Sequence, residues 1–248
     1  MVHGCVDGYS RNLMVLEIST DNLAKTAFDF FKDAVSEYSI PGRIRIDGGS
    51  EFNFIESFMN QVDGTKRCIR GKSVHNTRIE RLWRDCREKV LDKYIFLFDS
   101  MEKSGILDID NDVHLFALHY IYLPRIGNDL KIWKEAHNNH PLRTEKNKTP
   151  LQLWLSGSLT NDRPHSTAMR NLFSLRNEDK EQFIDTFLEG QSWNEPVDIV
   201  HKLSRIPAPL SPLEINRFFF INSLEESHVN GVDLYGRAVN FICSCLRD

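Results

Sequence analysis

The chain begins with two short runs of apolar, β-branched residues that enclose a polar segment. The runs cover Val2–Val6 and Leu13–Ser19 with Asp-Gly-Tyr-Ser-Arg-Asn between them, which predicts a β-hairpin. Apolar residues then recur at helical spacing from Leu23 to Tyr38, and Pro41-Gly42 ends this predicted helix. Residues Arg43–Ile46 predict a further strand. A helix that crosses between strands in this order is typical of a mixed α/β sheet.

The pattern of the remaining chain is mostly helical. We predict a short helix over residues 54–61, an edge strand over residues 65–70, and a helix of about 25 residues from Ser73. Residues 112–139 predict an aromatic-rich helix that is broken near Pro124, and Thr149-Pro150 is typical of a helix start. Polar residues and prolines become frequent beyond Gly157. We therefore predict an α/β domain over residues 1–157 and a helical C-terminal appendage over residues 158–248.

The composition is that of a globular intracellular protein. Of the 248 residues, 41% are hydrophobic and 27% are charged, which supplies a core and a polar surface. No apolar run reaches the ~18 residues that a membrane-spanning helix needs, and the N-terminus lacks the features of a signal peptide. The five cysteines are an odd number without a CxxC pair. We therefore expect reduced thiols, an intracellular location and no membrane partner.

The net charge of −4 conceals a basic segment. Residues 1–155 are balanced, with 22 basic and 22 acidic side chains, so the excess of negative charge lies in the appendage. Within the balanced part, residues 66–93 hold ten basic and four acidic side chains. Such a local excess is typical of a polyanion-binding surface, but a solvated helix face has the same composition. Charge alone does not separate these interpretations.

Asp47 is the first candidate for chemistry. It stands directly after the predicted strand Arg43–Ile46, where an open α/β sheet tends to bind ligands. The two glycines that follow it remove side chains that would obstruct an approaching ligand. The alternative is an aspartate that stabilises a turn, which is a common use of an Asp-Gly pair.

Glu80 is the second candidate carboxylate. At 100° per residue, its neighbours on the helix face are Asn76, Thr77, Arg84 and Arg87, away from the apolar stripe. A solvated glutamate that pairs with Arg84 one turn later would need no function. A carboxylate that holds a divalent metal, flanked by cations that hold phosphates, would instead suit a phosphodiester site.

Several ordered motifs resemble the integrase core of retroviral-integrase-like DDE transposases and retroelements, as found in eukaryotic mobile elements. These motifs are Val2-His-Gly-Cys-Val-Asp-Gly-Tyr-Ser-Arg, Arg45-Ile-Asp-Gly-Gly-Ser-Glu-Phe and His75-Asn-Thr-Arg-Ile-Glu-Arg-Leu-Trp-Arg. The segments Asn138-Asn-His-Pro-Leu-Arg and Lys148-Thr-Pro-Leu-Gln-Leu-Trp resemble the closing part of such cores. The separation of positions 47 and 80 is close to that between the second and third catalytic carboxylates of the family.

The resemblance implies a ribonuclease H-like fold and a polynucleotidyl transferase that cuts and joins DNA with two divalent metals, Mg²⁺ or Mn²⁺. It implies that Asp47 and Glu80 are catalytic metal ligands, and that Lys72, Asn76, Arg84 and Arg87 bind DNA. DNA is the expected partner, a homo-oligomer is a further expectation, and the expected location is nuclear. A ribonuclease H-type nuclease outside transposition is an alternative, although it does not account for the closing motif.

One departure from the family affects the expected activity. The family's first catalytic aspartate lies on a strand that precedes the segment with which this sequence starts. Asp7 aligns with a turn residue that is usually structural, and it is only a secondary candidate for a metal ligand. We therefore expect an N-terminally truncated core that lacks the first, central strand of its sheet, with impaired catalysis and weak metal binding. A non-catalytic DNA-binding or assembly remnant of a mobile element is the alternative function.

Overall fold

The structure is a computed structural model that describes residues 1–62, 66–72, 77–160, 182, 184–187, 210, 218 and 221–246. Its four strands are β1 (Val2–Val6), β2 (Leu13–Ile18), β3 (Ile44–Ile46) and β4 (Cys68–Arg70). Its α-helices are α1 (Ala24–Tyr38), α2 (Asn53–Gln61), α3 (Thr77–Cys86), α4 (Asp92–Lys103), α5 (Asp112–Asn138), α6 (Pro150–Thr160) and α7 (Val232–Cys245). The predicted mixed α/β composition is confirmed, with helices predominating over two small sheets.

The four described strands form two separate pairs. β1 and β2 are antiparallel, with Val2 opposite Ile18 and a register shift between Cys5 and Val6, which confirms the predicted hairpin. β3 and β4 are parallel, with Ile44 opposite Cys68. No described strand joins the two pairs into the single mixed sheet that the sequence predicts.

The larger hydrophobic core surrounds α5. One face of α5 buries Phe116, Ala117, Tyr120 and Ile121 at helical spacing, and Leu13 and Leu16 of β2 pack in the same cluster. The cluster also contains buried residues from α3, α4 and α7, such as Leu82, Tyr94 and Leu234. The hairpin, α3, α4 and the C-terminal helix α7 therefore share one apolar interior.

A second hydrophobic cluster supports the parallel strands. Phe28 and Phe31 of α1 pack against Phe58 of α2, with ring centroids 5.6 Å and 5.9 Å from that of Phe58. The ring of Phe187 packs against the same group, with its centroid 5.4 Å from that of Phe28 and 5.3 Å from that of Phe58. Aromatic pairs at these separations add to the stability that burial gives. This cluster therefore fixes α2 beside β3 and β4.

Two predictions about helices need correction or refinement. α5 continues through Pro124, so the predicted break near that residue is wrong. A proline inside a helix costs about 3 kcal/mol, but the buried residues on both sides of Pro124 hold the helix in one piece. The helix predicted from Ser73 begins in the described residues at Thr77, and a π-helical segment, Arg87–Leu91, connects α3 to α4.

The helix α7 packs on α5 and belongs to the larger core. Leu234, Tyr235, Ala238 and Ile242 form its buried face. The Tyr235 hydroxyl lies 2.9 Å from Nδ1 of His114 on α5. The predicted domain boundary near residue 158 stays a prediction, because most of residues 161–220 lie outside the described part of the chain.

Candidate nucleic-acid interface

Asp47 directly follows β3, as the sequence predicts. Its side chain is half-buried, and Oδ1 accepts a hydrogen bond of 3.2 Å from the backbone N–H of Gly49. Asp47 thus begins the glycine turn Asp47-Gly48-Gly49, which leads into a short 3₁₀ turn and then α2. The carboxylate has this turn bond and retains its second oxygen for another partner.

Arg70, at the end of β4, holds the glycine turn in place. Its Nη1 donates to the carbonyl oxygens of Gly48 and Gly49 at 3.3 Å and 3.1 Å. Its other nitrogens donate to Asn53 Oδ1 and to Glu56 Oε2 on α2, each at 2.8 Å. Because one planar guanidinium bridges the turn and the helix, Arg70 fixes the backbone that carries Asp47.

Glu80 lies in the first turn of α3 and is exposed. Three residues later, Trp83 packs against β1 so closely that a Cβ at Gly4 would be 2.6 Å from its ring. This contact, together with buried Leu82 and Cys86, fixes which face of α3 points to the core. Glu80 is left on the solvent side. It makes no ion pair with Arg84 in the described structure, so the pairing that would explain Glu80 without a function does not form.

The basic side chains of α3 are exposed and have no acidic partner within the described residues. These are Arg78, Arg81 and Arg84. Arg87 differs, since its Nε donates to Asp92 Oδ1 at 3.1 Å on the exposed side of the helix. Lys72 is exposed after β4, and Asn76 lies outside the described residues. Of the residues predicted to bind DNA, Lys72 and Arg84 thus have no acidic partner in the described structure, whereas Arg87 is already paired.

Asp7 has the bonding of a turn residue. Its Oδ2 accepts hydrogen bonds from the N–H of Tyr9, the N–H of Ser10 and the hydroxyl of Ser10, at 3.2 Å, 2.7 Å and 2.6 Å. An aspartate that hydrogen-bonds to the next backbone N–H groups closes a tight turn. The geometry therefore favours the structural role of Asp7 over its secondary candidacy as a metal ligand.

The described side chains do not assemble a complete metal site. Among residues 1–62, 66–72, 77–160 and the described parts of the C-terminal region, no three His, Cys, Asp or Glu side chains come together in a way that holds a metal ion. A single Mg²⁺ can be held by one or two well-placed carboxylates, but a pair of metals needs further ligands. Asp47 and Glu80 alone therefore do not fit the resident metal pair that the resemblance implies.

Sequence reasoning missed the role of Arg70. Arg70 was visible only as one of ten cations in residues 66–93. Its task depends on the parallel pairing of β3 with β4, which places Ile46 opposite Arg70 and so brings Arg70 beside the turn. A signal for this was present in the strand pattern of residues 65–70, because neighbouring parallel strands end at the same edge.

Comparison with known proteins agrees with the motifs. Residues 1–168 match the model of the integrase core domain family, which covers 168 of the 248 residues. No curated protein and no solved structure shows a significant match to the chain. None of the described helices is long and apolar enough to cross a membrane. The predicted resemblance is thus confirmed, and the chain belongs to the integrase core domain family, which implies a ribonuclease H-like fold and an origin in DNA processing.

Proposed function

We propose that α3 binds the phosphate backbone of DNA and that this binding is the main biochemical property of the chain. The observation that carries the proposal is the absence of acidic partners for Arg78, Arg81 and Arg84 in the described structure. Glu80 and Asp85 lie on α3 and Glu88 follows in the π-helical segment, at spacings that allow pairing, yet the three arginines remain unpaired in the described structure. The family to which the chain belongs also implies a DNA partner.

The spacing of the three arginines suits a linear polyanion. They recur every third residue, so they spread over about 120° of the helix and about 9 Å of its axis. Duplex DNA rises ~3.4 Å per base pair along each strand, so this length corresponds to two or three phosphates. Planar guanidinium groups bind phosphate in two-pronged fashion, and they stay charged at every physiological pH. The contacts proposed here are therefore largely independent of base sequence.

DNA strand cleavage and joining is the second candidate function. Its support is the position of Asp47 at the end of β3, with its turn held by Arg70, and the exposed position of Glu80 on α3. In the described part of the chain no third metal-binding side chain joins Asp47 and Glu80, so these two carboxylates do not by themselves hold the two metals that stabilise the attacking and leaving oxygens. We therefore propose that catalysis by this chain is impaired. The expected homo-oligomer and nuclear location stay predictions.

Fluorescence anisotropy with a labelled DNA duplex of mixed sequence tests the first proposal. The comparison is between the unmodified chain and the double variant Arg81→Gln, Arg84→Gln, at salt concentrations between about 50 and 200 mM. Each lost phosphate contact reduces the slope of log affinity against log salt by about one, so the expected reduction is about two. Glu80→Gln should leave the affinity unchanged or raise it, because it removes a negative charge beside the backbone.

A matched control removes two cations elsewhere. Lys103 and Arg237 are exposed and pair with Asp99 and Glu225, and neither lies on α3. The variant Lys103→Gln, Arg237→Gln has the same net charge as the test variant and should retain the salt slope of the unmodified chain. If the α3 variant and the control bind DNA identically, α3 is a solvated helix and the proposal is wrong.

A further inference from the structure

The parallel strands β3 and β4 carry a second basic surface that the sequence did not group together. Arg43 and Arg45 come from β3 and the residue before it, and Lys66 and Lys72 flank β4 at its two ends. All four side chains are exposed. We refer to these four residues as the β3–β4 basic surface. Two of them lie outside the basic segment of residues 66–93, so only the pairing of the strands reveals the group.

The register of the strands places two residues of this surface. Side chains alternate along a strand, so Arg43 and Arg45 lie on one face while Ile46 is buried on the other. Lys66 and Lys72 lie outside β4, and Lys66 lines one cavity together with Arg43. Arg45 pairs with Ile69 in β4, and its guanidinium reaches the end of that strand. A Cβ at Gly71 would lie 3.6 Å from Arg45 Nη1, which shows that the guanidinium lies beside Gly71. Lys72 follows immediately.

A shallow cavity of about 210 Å³ opens beside the same strands. Its walls are Arg43, Glu56, Lys66, Cys68, Ile69 and Arg70. Half of these side chains are cationic, and Glu56 is the single carboxylate among them. Glu56 is already neutralised by Arg70, whose Nη2 lies 2.7 Å from its Oε2. The cavity therefore presents a net positive charge to a ligand.

The cations of this region divide into two groups. Arg70 is fully engaged by the glycine turn and α2, and Arg67 is buried with its Nη1 donating to the carbonyl oxygen of Gly42. Arg43, Arg45, Lys66 and Lys72 have no acidic partner in the described structure. The first group builds the strands and the turn. The second group has no structural task that would account for its charge.

We infer that the β3–β4 basic surface is a second contact for the phosphate backbone of duplex DNA, separate from α3. The inference rests on the proposed function, because it extends the path of the same DNA. Arg70 lines the cavity together with Arg43 and Lys66 and also donates to the turn of Asp47, so this surface adjoins the candidate carboxylate. Exposed cations that have no acidic partner attract a polyanion by charge complementarity.

Two double variants separate this surface from α3. The double variant Arg43→Gln, Arg45→Gln keeps a polar side chain at both positions and removes two positive charges. Anisotropy titrations with the labelled duplex should show at least tenfold weaker binding at low salt and a salt slope reduced by about two. The variant Lys103→Gln, Arg237→Gln is again the control of equal charge. Circular dichroism verifies that each variant is folded. If the arginine variant is unfolded, Lys66→Gln, Lys72→Gln replaces it, because these lysines flank the strand.

The outcomes distinguish the two proposals. If the β3–β4 variant binds DNA like the unmodified chain while the α3 variant binds weakly, this inference is overturned and the proposed function stands. If neither variant differs from the control, both are overturned. A third experiment compares polyglutamate with unlabelled duplex of the same charge as competitors for the labelled duplex. If polyglutamate displaces DNA as efficiently as unlabelled duplex does, the surface recognises acidic protein segments and the assignment to DNA is overturned.

Discussion

The side-chain amide of Asn138 forms both of its hydrogen bonds with the backbone of Leu13. Its Oδ1 accepts from the Leu13 N–H at 2.7 Å, and its Nδ2 donates to the Leu13 carbonyl at 3.0 Å. Both residues are buried, and they are separated by 125 positions in the sequence. Asn138 ends α5 and Leu13 begins β2. The Asn138 amide therefore forms the hydrogen bonds with Leu13, at the start of β2, that a neighbouring strand would otherwise form.

Asn138→Ala is expected to destabilise the fold by about 2–4 kcal/mol. The substitution leaves a buried N–H and a buried carbonyl of Leu13 without partners, and each such group costs about 1–3 kcal/mol. Urea unfolding followed by circular dichroism measures the loss. Asn139→Ala is the neighbouring control, because Asn139 is exposed and its Nδ2 donates to the carbonyl of Glu135 within α5. Equal losses in the two variants would refute the role assigned to Asn138.

The sequence predicted the elements better than the contacts between them. Local signals were sufficient for the hairpin, because polar turn residues separate two apolar runs, and for the start of α6. There the Thr149 hydroxyl accepts from the Gln152 N–H at 3.1 Å while the Gln152 side chain accepts from the Thr149 N–H at 3.0 Å. This reciprocal cap lies within four residues, so a local pattern contains all of it.

Long-range partners were not accessible to sequence patterns. Asn138 was recognised only as part of a motif, since nothing near it indicates that Leu13 is its partner. The contact of α7 with α5 was likewise not predicted, because the polarity and prolines of the preceding segment gave no sign of it. Tyr235 of α7 is nevertheless almost fully buried in the core around α5. The predicted break at Pro124 was wrong for a related reason. The packing of α5 in the core outweighs the cost of a proline inside the helix.

The sequence predicted individual residues of the candidate site but not their arrangement in space. The positions of Asp47 after β3 and Glu80 on α3 agree with the predicted elements. The catalytic and metal-binding roles of both residues stay predictions. Arg70 was not identified as the residue that holds the glycine turn, because this role requires the β3–β4 register.

Gly4→Ala is expected to destabilise the fold by about 1–3 kcal/mol through overpacking. A Cβ at this position would lie 2.6 Å from Cη2 of Trp83, which is the contact that seats α3 on β1. Gly8→Ala is the control, because nothing lies within 4 Å of a Cβ there. The double variant Gly4→Ala, Trp83→Phe should recover part of the loss, since the smaller ring leaves space. Thermal unfolding measures all three, and a Gly4→Ala variant as stable as the Gly8→Ala control would show that Trp83 moves aside freely.

Three histidines are expected to make the stability depend on pH. Burial lowers the pKa of His3, His119 and His137 below the usual 6.5. The unfolded chain therefore binds more protons than the folded chain once the pH falls below about 6.5. The histidine contribution to stability is fully present above this pH and is lost as the pH falls towards the folded-state pKa values. The free energy of unfolding should thus decrease between pH 7.5 and 5.5, as measured by urea titration at each pH.

His137 offers a specific variant for this test. Its ring Nε2 lies 3.1 Å from the carbonyl oxygen of Arg11, and this bond partly opposes the effect of burial on its pKa. His137→Gln keeps a side-chain donor and should flatten the pH profile. Glu17 acts in the opposite direction, since burial raises its pKa above the usual 4.5. If the free energy of unfolding of His137→Gln depends on pH as steeply as that of the unmodified chain, other groups cause the dependence.

Divalent metal ions are expected to bind the chain weakly or not at all. A ligand present at 100 times its Kd stabilises a protein by about 2.7 kcal/mol, so a complete site would raise the free energy of unfolding clearly when Mg²⁺ or Mn²⁺ is added. Asp47 and Glu80 belong to no cluster of three ligands in the described part of the chain. Urea unfolding with and without each metal at constant ionic strength should therefore give closely similar curves, and calorimetry should detect at most weak binding. Asp47→Asn, Glu80→Gln serves as the reference for nonspecific effects. Tight binding of two metals that disappears in Asp7→Asn would contradict this expectation and would make Asp7 a ligand.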